Sequence, residues 1–275
     1  QRCFFATLCP TPMNQFFTVL KAYWLLIVSL LLIAVITGGY VAGFRIDQGG
    51  ITRVGTLVLT GLPAQTAVYV DQARLVKIAG ERAAITMTPG THSVIIDTQE
   101  YLPWNEIVTI EQGKDTVKKP ILIPAKPKGV ALTGEHFQKA LDMIKGGVIP
   151  TAAAPLVLSG GCANVYLSGT HILAERATTT PCATPPPYLC ASDADVCAPV
   201  IVYSPNGTVH SIVPFPSRDD AVIVSAGNLV YVVELDPREP QFFAPLFKGP
   251  SIGAAVFSDH SAVVSNGTQV VELSL

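Results

Sequence analysis

The sequence predicts a mainly β protein that begins with one transmembrane helix, continues into a small β-sandwich and ends in partial β-propeller-like repeats. Three observations predict this class. An uncharged apolar run of 23 residues lies near the N-terminus, short alternating strands follow it, and the distal part repeats with a period of 40 residues. The composition agrees, because 49% of the 275 residues are hydrophobic and 14% are charged, against about 25% charged in typical domains.

Charge and motifs exclude several classes of function. The chain has 18 basic and 20 acidic residues, a net charge of −2, so no excess of positive charge indicates a nucleic-acid partner. The sequence contains no Gly-x-Ser-x-Gly, Walker, His-Glu-x-x-His or Gly-x-Gly-x-x-Gly motif. We therefore expect no cofactor, no metal ligand and no catalytic residue.

The first 21 residues are predicted to form a short cytoplasmic tail. Met13 opens a stretch that is typical of a natural start. We expect that residues 1–12 precede this start or that the chain is clipped, so Cys3 and Cys9 carry little weight.

Residues 22–44 are predicted to cross the lipid bilayer. At 1.5 Å per residue this run spans roughly 34 Å, enough for a hydrocarbon core of about 30 Å. Trp24 at one end, and Tyr40 and Arg45 at the other, suit the two interfaces. The run exceeds the roughly 7–15 apolar residues of a signal peptide, so an uncleaved anchor is preferred.

The charges that flank this span give little information on orientation. Lys21 precedes it, while Arg45 and Arg53 follow it, so the positive-inside rule is nearly balanced. The short N-terminal tail and the distal cysteines favour a cell-membrane protein whose bulk is extracytoplasmic.

Residues 45–124 are predicted to form the β-sandwich. Short apolar segments alternate with Pro and Gly turns, which is typical of a small sandwich. The predicted strands cover residues 55–59, 67–70, 84–87, 92–96, 106–110 and 121–123.

This region resembles the PEGA domain, a β-sandwich of bacterial and archaeal envelope proteins. The resemblance is carried by Pro63, Val68-Tyr69-Val70-Asp71, Pro89-Gly90-Thr91 and Tyr101-x-x-Trp104, in the family's order. The chain departs from the family at the namesake motif, where only Pro63 remains, and at Glu100, where the family usually has Gly. The resemblance implies structural roles for Pro63, Tyr69, Asp71, Pro89, Gly90, Tyr101 and Trp104. The layout of helix and domain is similar to membrane-anchored envelope proteins of candidate-phyla bacteria.

A linker and a short helix are predicted for residues 125–150. The linker is rich in Pro and Lys, which indicates an extended segment; its lysines either are solvated or contact anionic lipid or wall polymer. An amphipathic helix is predicted from an N-cap at Thr133 to about Lys145, with Phe137, Ala140, Leu141 and Ile144 on one face.

Residues 151–275 are predicted to form the repeats. Asp219 matches Asp259, the segment 223–225 matches 263–265, and a looser unit lies at 165–173. A strand-rich 40-residue period is typical of a β-propeller blade, and two similar hairpins of a sandwich are the alternative. The units resemble the WD-like repeats that follow PEGA domains. Too few are present for a closed propeller, so truncation is expected; pairing of the units with another molecule is the alternative.

A Cys-, Pro- and Thr-rich loop covers residues 177–199 within the repeats. Cys162, Cys182, Cys190 and Cys197 are predicted to form two disulfides that staple it. Free thiols and a metal site are the alternatives, but the spacing does not match structural zinc.

We therefore expect a non-enzymatic, membrane-anchored cell-envelope protein. The PEGA-like module would be a spacer or an adhesive module next to the membrane, and the repeats a platform that binds another envelope protein or a cell-wall polymer. A sensory ectodomain and an envelope hydrolase on a propeller scaffold are the alternatives.

Overall fold

The computed structural model describes residues 13–47, 50–78, 80–178, 182, 185–190, 197–250 and 253–275. This part of the chain contains two helices and 21 strands, so the mainly β class is confirmed. The helices are α1 (Met13–Val41) and α2 (Gly134–Lys145). The strands are β1 (Phe44–Asp47), β2 (Gly50–Arg53), β3 (Gly55–Thr60), β4 (Thr66–Val70), β5 (Ala73–Ile78), β6 (Arg82–Met87), β7 (Gly90–Asp97), β8 (Trp104–Ile110), β9 (Asp115–Lys118), β10 (Gly129–Ala131), β11 (Leu156–Leu158), β12 (Ala163–Ser168), β13 (His171–Arg176), β14 (Val200–Tyr203), β15 (Val209–Pro214), β16 (Ala221–Ala226), β17 (Leu229–Glu234), β18 (Phe243–Lys248), β19 (Gly253–Ser258), β20 (Ser261–Ser265) and β21 (Val270–Ser274).

The chain forms two compact units. The first comprises the described residues up to Val58 with Ala84–Gly90 and Thr109–Thr116. The second comprises Leu59–Ala83, Thr91–Val108 and Val117–Leu275.

Helix α1 confirms the predicted N-terminal apolar helix, but it ends three residues before the predicted limit at Phe44. Gly43 has φ +83°, a conformation that glycine adopts without steric cost, and it terminates the helix. Its N–H donates to the carbonyl of Tyr40 at 3.2 Å. Phe44 then opens β1, which pairs with β2 in a hairpin where Phe44 lies opposite Arg53.

Two small sheets follow α1 in the chain. One has the strand order β6-β3-β9 and the other β5-β4-β7-β8. The prediction of a strand at residues 121–123 is wrong, since this segment lies between Pro120 and Pro124, which lack the N–H that a ladder requires. Strand β9 precedes it instead, and Ile121 and Ile123 are buried without being in a strand.

Three four-stranded antiparallel sheets make up the distal part. Their strand orders are β11-β12-β13-β14, β15-β16-β17-β18 and β10-β21-β20-β19. The central hairpin of each sheet has a glycine at positive φ in its turn, namely Gly169, Gly227 and Gly267. The 40-residue similarity corresponds to these hairpins, because β16 matches β20 and β12 begins the looser unit.

These three sheets are packed through apolar faces. A buried cluster joins the first sheet to the second and includes Val165, Ile172, Val224 and Val233. Strands β15 and β16 of the second sheet contact β19 of the third. Burial on both faces explains why β16 and β17 read as nearly continuous apolar runs.

Helix α2 covers the third sheet, and its predicted extent is confirmed. Thr133 is the N-cap residue and Gly146 the C-cap residue. Ala140 belongs to a buried cluster with Ala255, Val263 and Val270, and Phe137, Leu141 and Ile144 pack against that cluster.

Strand β10 was not predicted from the sequence. Gly129 lies opposite Leu273 and Ala131 opposite Val271, so a segment that precedes α2 forms the edge of the last sheet. The segment predicted as a linker therefore includes a paired strand.

Candidate functional site

The four distal cysteines form two disulfides. Cys162 is joined to Cys182 and Cys190 to Cys197, each pair with Cα atoms 5.0 Å apart. Cys162 is buried at the start of β12, so the first disulfide ties the loop to the first distal sheet. The second closes a short local loop.

Asp71 lies in the turn between β4 and β5 and makes several polar contacts. Its backbone has φ +48°, and its N–H donates to the carbonyl of Ser93 at 2.9 Å. Its carboxylate lies 2.7 Å from Nδ1 of His92 and accepts from the Ser93 N–H at 3.0 Å. The hydrogen bond from His92 lowers the pKa of Asp71. His92 lies in a segment that the sequence predicts as a strand, and its position after the Pro-Gly turn is the only sequence signal for this contact.

The other positions to which the resemblance assigned structural roles lie in both compact units, with Pro89 and Gly90 in the first and Pro63, Tyr69, Tyr101 and Trp104 in the second. The Pro63 carbonyl accepts from the buried Thr66 hydroxyl at 2.6 Å. Tyr69 is half-buried on β4, and Pro89 precedes β7, which begins at Gly90. Trp104 is 1% exposed, and its indole N–H has no hydrogen-bond partner in the described part of the chain.

Tyr101 lies in a cleft of about 570 Å³, which is the candidate functional site. That volume is within the range of small-ligand pockets, roughly 300–1,000 Å³. The residues that line it are Glu100, Tyr101, Pro124, Ala125, Lys126, Lys128 and Ser274.

The backbone around this cleft is hydrogen-bonded at both ends of the segment that carries the lysines. The N–H of Ala125 donates to the carbonyl of Glu100 at 2.8 Å, next to a β-bridge between Tyr101 and Pro124. At the other end of the segment, the N–H of Ser274 donates to the carbonyl of Lys128 at 3.4 Å, just before strand β10. The Pro- and Lys-rich sequence therefore has a defined path.

A group of buried carboxylates lies elsewhere in the second unit. Glu234, at the end of β17, is 9% exposed, and its carboxylate accepts from the N–H of Phe242 at 3.2 Å. Burial, reinforced by the nearby charge of Glu106, raises the pKa of Glu234 to about 8. Its carboxyl group is therefore mostly protonated at neutral pH.

Glu106 on β8 is the carboxylate whose charge contributes most to the raised pKa of Glu234. It forms an ion pair with Lys118, and its side chain is 12% exposed. Burial raises its pKa, and the charge of Lys118 opposes that shift. Asp236 adds further negative charge and is itself paired with Arg238, whose Nε lies 2.9 Å from Asp236 Oδ1. Neither Glu106 nor Glu234 was a sequence-predicted site residue, because no local motif marks two carboxylates that are far apart in the chain.

The described residues include no group of three or more His, Cys, Asp or Glu side chains placed to hold a metal ion. The cleft at Tyr101 can bind polar or charged groups through Tyr101, Lys126, Lys128 and Glu100, and Glu234 does not line it.

Comparison with known proteins returned no match to a family model, a curated protein or a solved structure. Function is therefore argued from the residues and their geometry alone.

Proposed function

We propose that this chain is a non-enzymatic, membrane-anchored protein of the cell envelope. Helix α1 would cross the bilayer, and the β-rich part would lie on the extracytoplasmic side. There the distal sheets would bind another envelope protein or a cell-wall polymer, and the β-rich region of residues 45–124 would be a spacer or an adhesive module next to the membrane.

The observation that carries this proposal is the exposed apolar surface of α1. Its segment Tyr23–Val41 has a mean hydropathy of 2.4, and none of the window is buried within the protein. Apolar patches of this size are rare on soluble monomers, and a helix satisfies its backbone hydrogen bonds within lipid. The length and composition of α1 fit either a membrane anchor or a signal sequence. We propose the anchor.

The disulfides support the extracytoplasmic side. Structural disulfides persist in oxidising compartments and are rare in the cytosol. The disulfides at Cys162–Cys182 and Cys190–Cys197 both lie in the distal part, the part that the proposal places outside.

The finer architecture belongs to the same proposal. The two small sheets would form a PEGA-like sandwich over residues 45–124, and the three distal sheets would be propeller-like blades within residues 151–275. Each of the three distal sheets has four antiparallel strands and a central hairpin. This arrangement resembles a four-stranded propeller blade and supports the proposal.

Alkaline carbonate extraction of membranes, followed by intact-mass measurement, tests the anchor. The proposal predicts that the chain stays in the membrane pellet with α1 attached. A soluble product that has lost α1 would show a cleaved signal sequence and contradict the anchor. Hydrolysis of wall polymer by the purified chain, abolished by Glu234→Gln, would contradict the non-enzymatic assignment.

A further inference from the structure

The cleft at Tyr101 has the chemistry of a binding site for a sugar that carries negative charge. Lys126 and Lys128 are both exposed, and neither forms an ion pair within the described part of the chain. Glu100 is the one carboxylate among the described lining residues, so the side chains present two positive charges and one negative charge.

The geometry of the cleft favours a preorganised site over two independent surface lysines. Lys126 lies between the two hydrogen-bonded ends of the segment, Ala125 and Lys128, whose backbone groups bond to Glu100 and Ser274. Pro127 lies between the two lysines and fixes its own φ near −65°. Holding the backbone in place before binding reduces the entropy that binding must overcome.

Tyr101 supplies the feature that separates a sugar from a simple anion. It is half-buried, and its backbone is fixed by the bridge to Pro124. An aromatic ring offers a flat apolar face to the C–H groups of a sugar ring, with a hydroxyl at its rim. The ammonium groups of Lys126 and Lys128 would bind a carboxylate or phosphate as point charges. The Glu100 carboxylate would accept hydrogen bonds from sugar hydroxyls, and the Ser274 hydroxyl would donate or accept them.

We propose that the cleft between Tyr101 and the Lys126–Lys128 segment binds an acidic glycan. This inference rests on the proposed function, since it names the class of wall polymer that the protein would bind. An acidic glycan matches the whole lining, whereas a neutral glycan would leave both ammonium groups without a partner.

Binding by the full chain tests this proposal directly. The protein is held in an uncharged polyoxyethylene detergent, because a maltoside detergent would itself present sugar. Calorimetry then measures binding of three probes of similar length: oligogalacturonate, a neutral maltooligosaccharide and a single-stranded oligothymidylate. We expect oligogalacturonate to bind at least tenfold more tightly than either other probe. Equal or tighter binding of the oligothymidylate would overturn the glycan assignment in favour of a nucleic acid.

Matched variants then locate the site. Lys126→Gln with Lys128→Gln is expected to weaken oligogalacturonate binding at least tenfold, and Tyr101→Leu at least fivefold. The control pair Lys145→Gln with Lys248→Gln removes the same charge from exposed positions outside the lining and is expected to change binding less than twofold. Equal weakening by both lysine pairs, or no binding by the unaltered chain, would overturn the proposal.

Circular dichroism of each variant shows whether it keeps its fold. Tyr101→Phe retains the aromatic ring and is expected to bind oligogalacturonate with nearly the affinity of the unaltered chain. Failure of the anchor in carbonate extraction would contradict the proposed function without affecting these affinities. Absence of oligogalacturonate binding in a chain whose anchor is intact would contradict only the proposed glycan-binding role of the cleft.

Discussion

Arg218 and Asp220 form a bidentate ion pair in the turn before β16. Nε of Arg218 lies 2.8 Å from Asp220 Oδ1, and Nη2 lies 2.6 Å from Oδ2. The same guanidinium donates to the carbonyls of Pro120 at 2.9 Å and Lys119 at 2.6 Å. A side chain of the loop between β15 and β16 therefore holds the backbone just after β9.

Arg218→Lys is expected to lower the free energy of unfolding by about 2 kcal/mol, because an ammonium group cannot replace the planar fork of donors. The Arg218 side chain is 8% exposed, so water does not compensate for the lost bonds. Urea denaturation followed by tryptophan fluorescence measures the change. Arg238→Lys is the matched control, since Arg238 pairs with Asp236 at the same spacing but is 59% exposed; its effect is expected to be about 0.5 kcal/mol or less. Equal losses would contradict the role given to Arg218.

Glu234 is expected to make the protein less stable as the pH rises from about 5 to 8. Its pKa is raised to about 8 in the folded chain from an ordinary value of 4.5. Within this window the folded state keeps a proton that the unfolded state has released, so stability falls with pH, by at most about 1.4 kcal/mol per pH unit for one group.

Glu234→Gln keeps the shape of the side chain and removes this titration. We expect its melting temperature to change less with pH than that of the unaltered chain, and to exceed it at pH 8.5. Glu239→Gln, at an exposed position nearby, is the control and should keep the original pH profile. Identical profiles for the Glu234 variant and the unaltered chain would show that Glu234 ionises normally.

The two disulfides are expected to differ in their effect on stability. Cys162–Cys182 spans 20 residues of sequence and Cys190–Cys197 spans 7. The loop-entropy relation gives about 3.3 kcal/mol for the first and about 2.5 kcal/mol for the second. Replacing each pair with alanine and measuring thermal unfolding tests this order. A larger loss from the shorter loop would contradict it, and non-reducing peptide mapping of the unaltered chain checks the pairing itself.

Gly253→Ala is expected to separate α2 from the third distal sheet. A Cβ at this position would lie 2.4 Å from Cγ2 of Ile144, which is too close for two non-bonded carbon atoms. We expect a loss of roughly 1–3 kcal/mol from this overpacking. Ile144→Ala removes the obstructing methyl group, so the double variant should lose less stability than the sum of the two single variants. Additive losses would mean that α2 does not pack against β19 in this way.

Features with a local sequence signal were predictable. The apolar run gave α1, and the spacing of Phe137, Ala140 and Ile144 gave the buried face of α2, because each pattern lies within one element. The 40-residue repeat likewise indicated the distal hairpins. The sequence indicated that the four cysteines form two disulfides. It did not indicate which cysteines pair, because the pairing depends on the fold.

Features that depend on distant contacts were not predictable. The bonds of Arg218 to the carbonyls of Lys119 and Pro120 are one example, since nothing near Arg218 in the sequence indicates them. Glu106 and Glu234 come together only because β8 and β17 belong to one compact unit. Strand β10 has three residues, too short for a periodic signal, and its partner β21 lies at the other end of the distal region.

Side-specific labelling of Thr170→Cys tests the membrane arrangement most directly. Thr170 is exposed in the turn between β12 and β13. The substitution is made in a chain in which Cys3 and Cys9 are replaced by serine, and the same chain with Thr170 retained is the blank. Washed spheroplasts are treated with a membrane-impermeant maleimide before or after lysis, and the membrane pellet is analysed. We predict that the membrane-retained Thr170→Cys chain is labelled before lysis. Labelling only after lysis, or recovery of the chain in the supernatant, would contradict an anchored protein with an extracytoplasmic β-rich part.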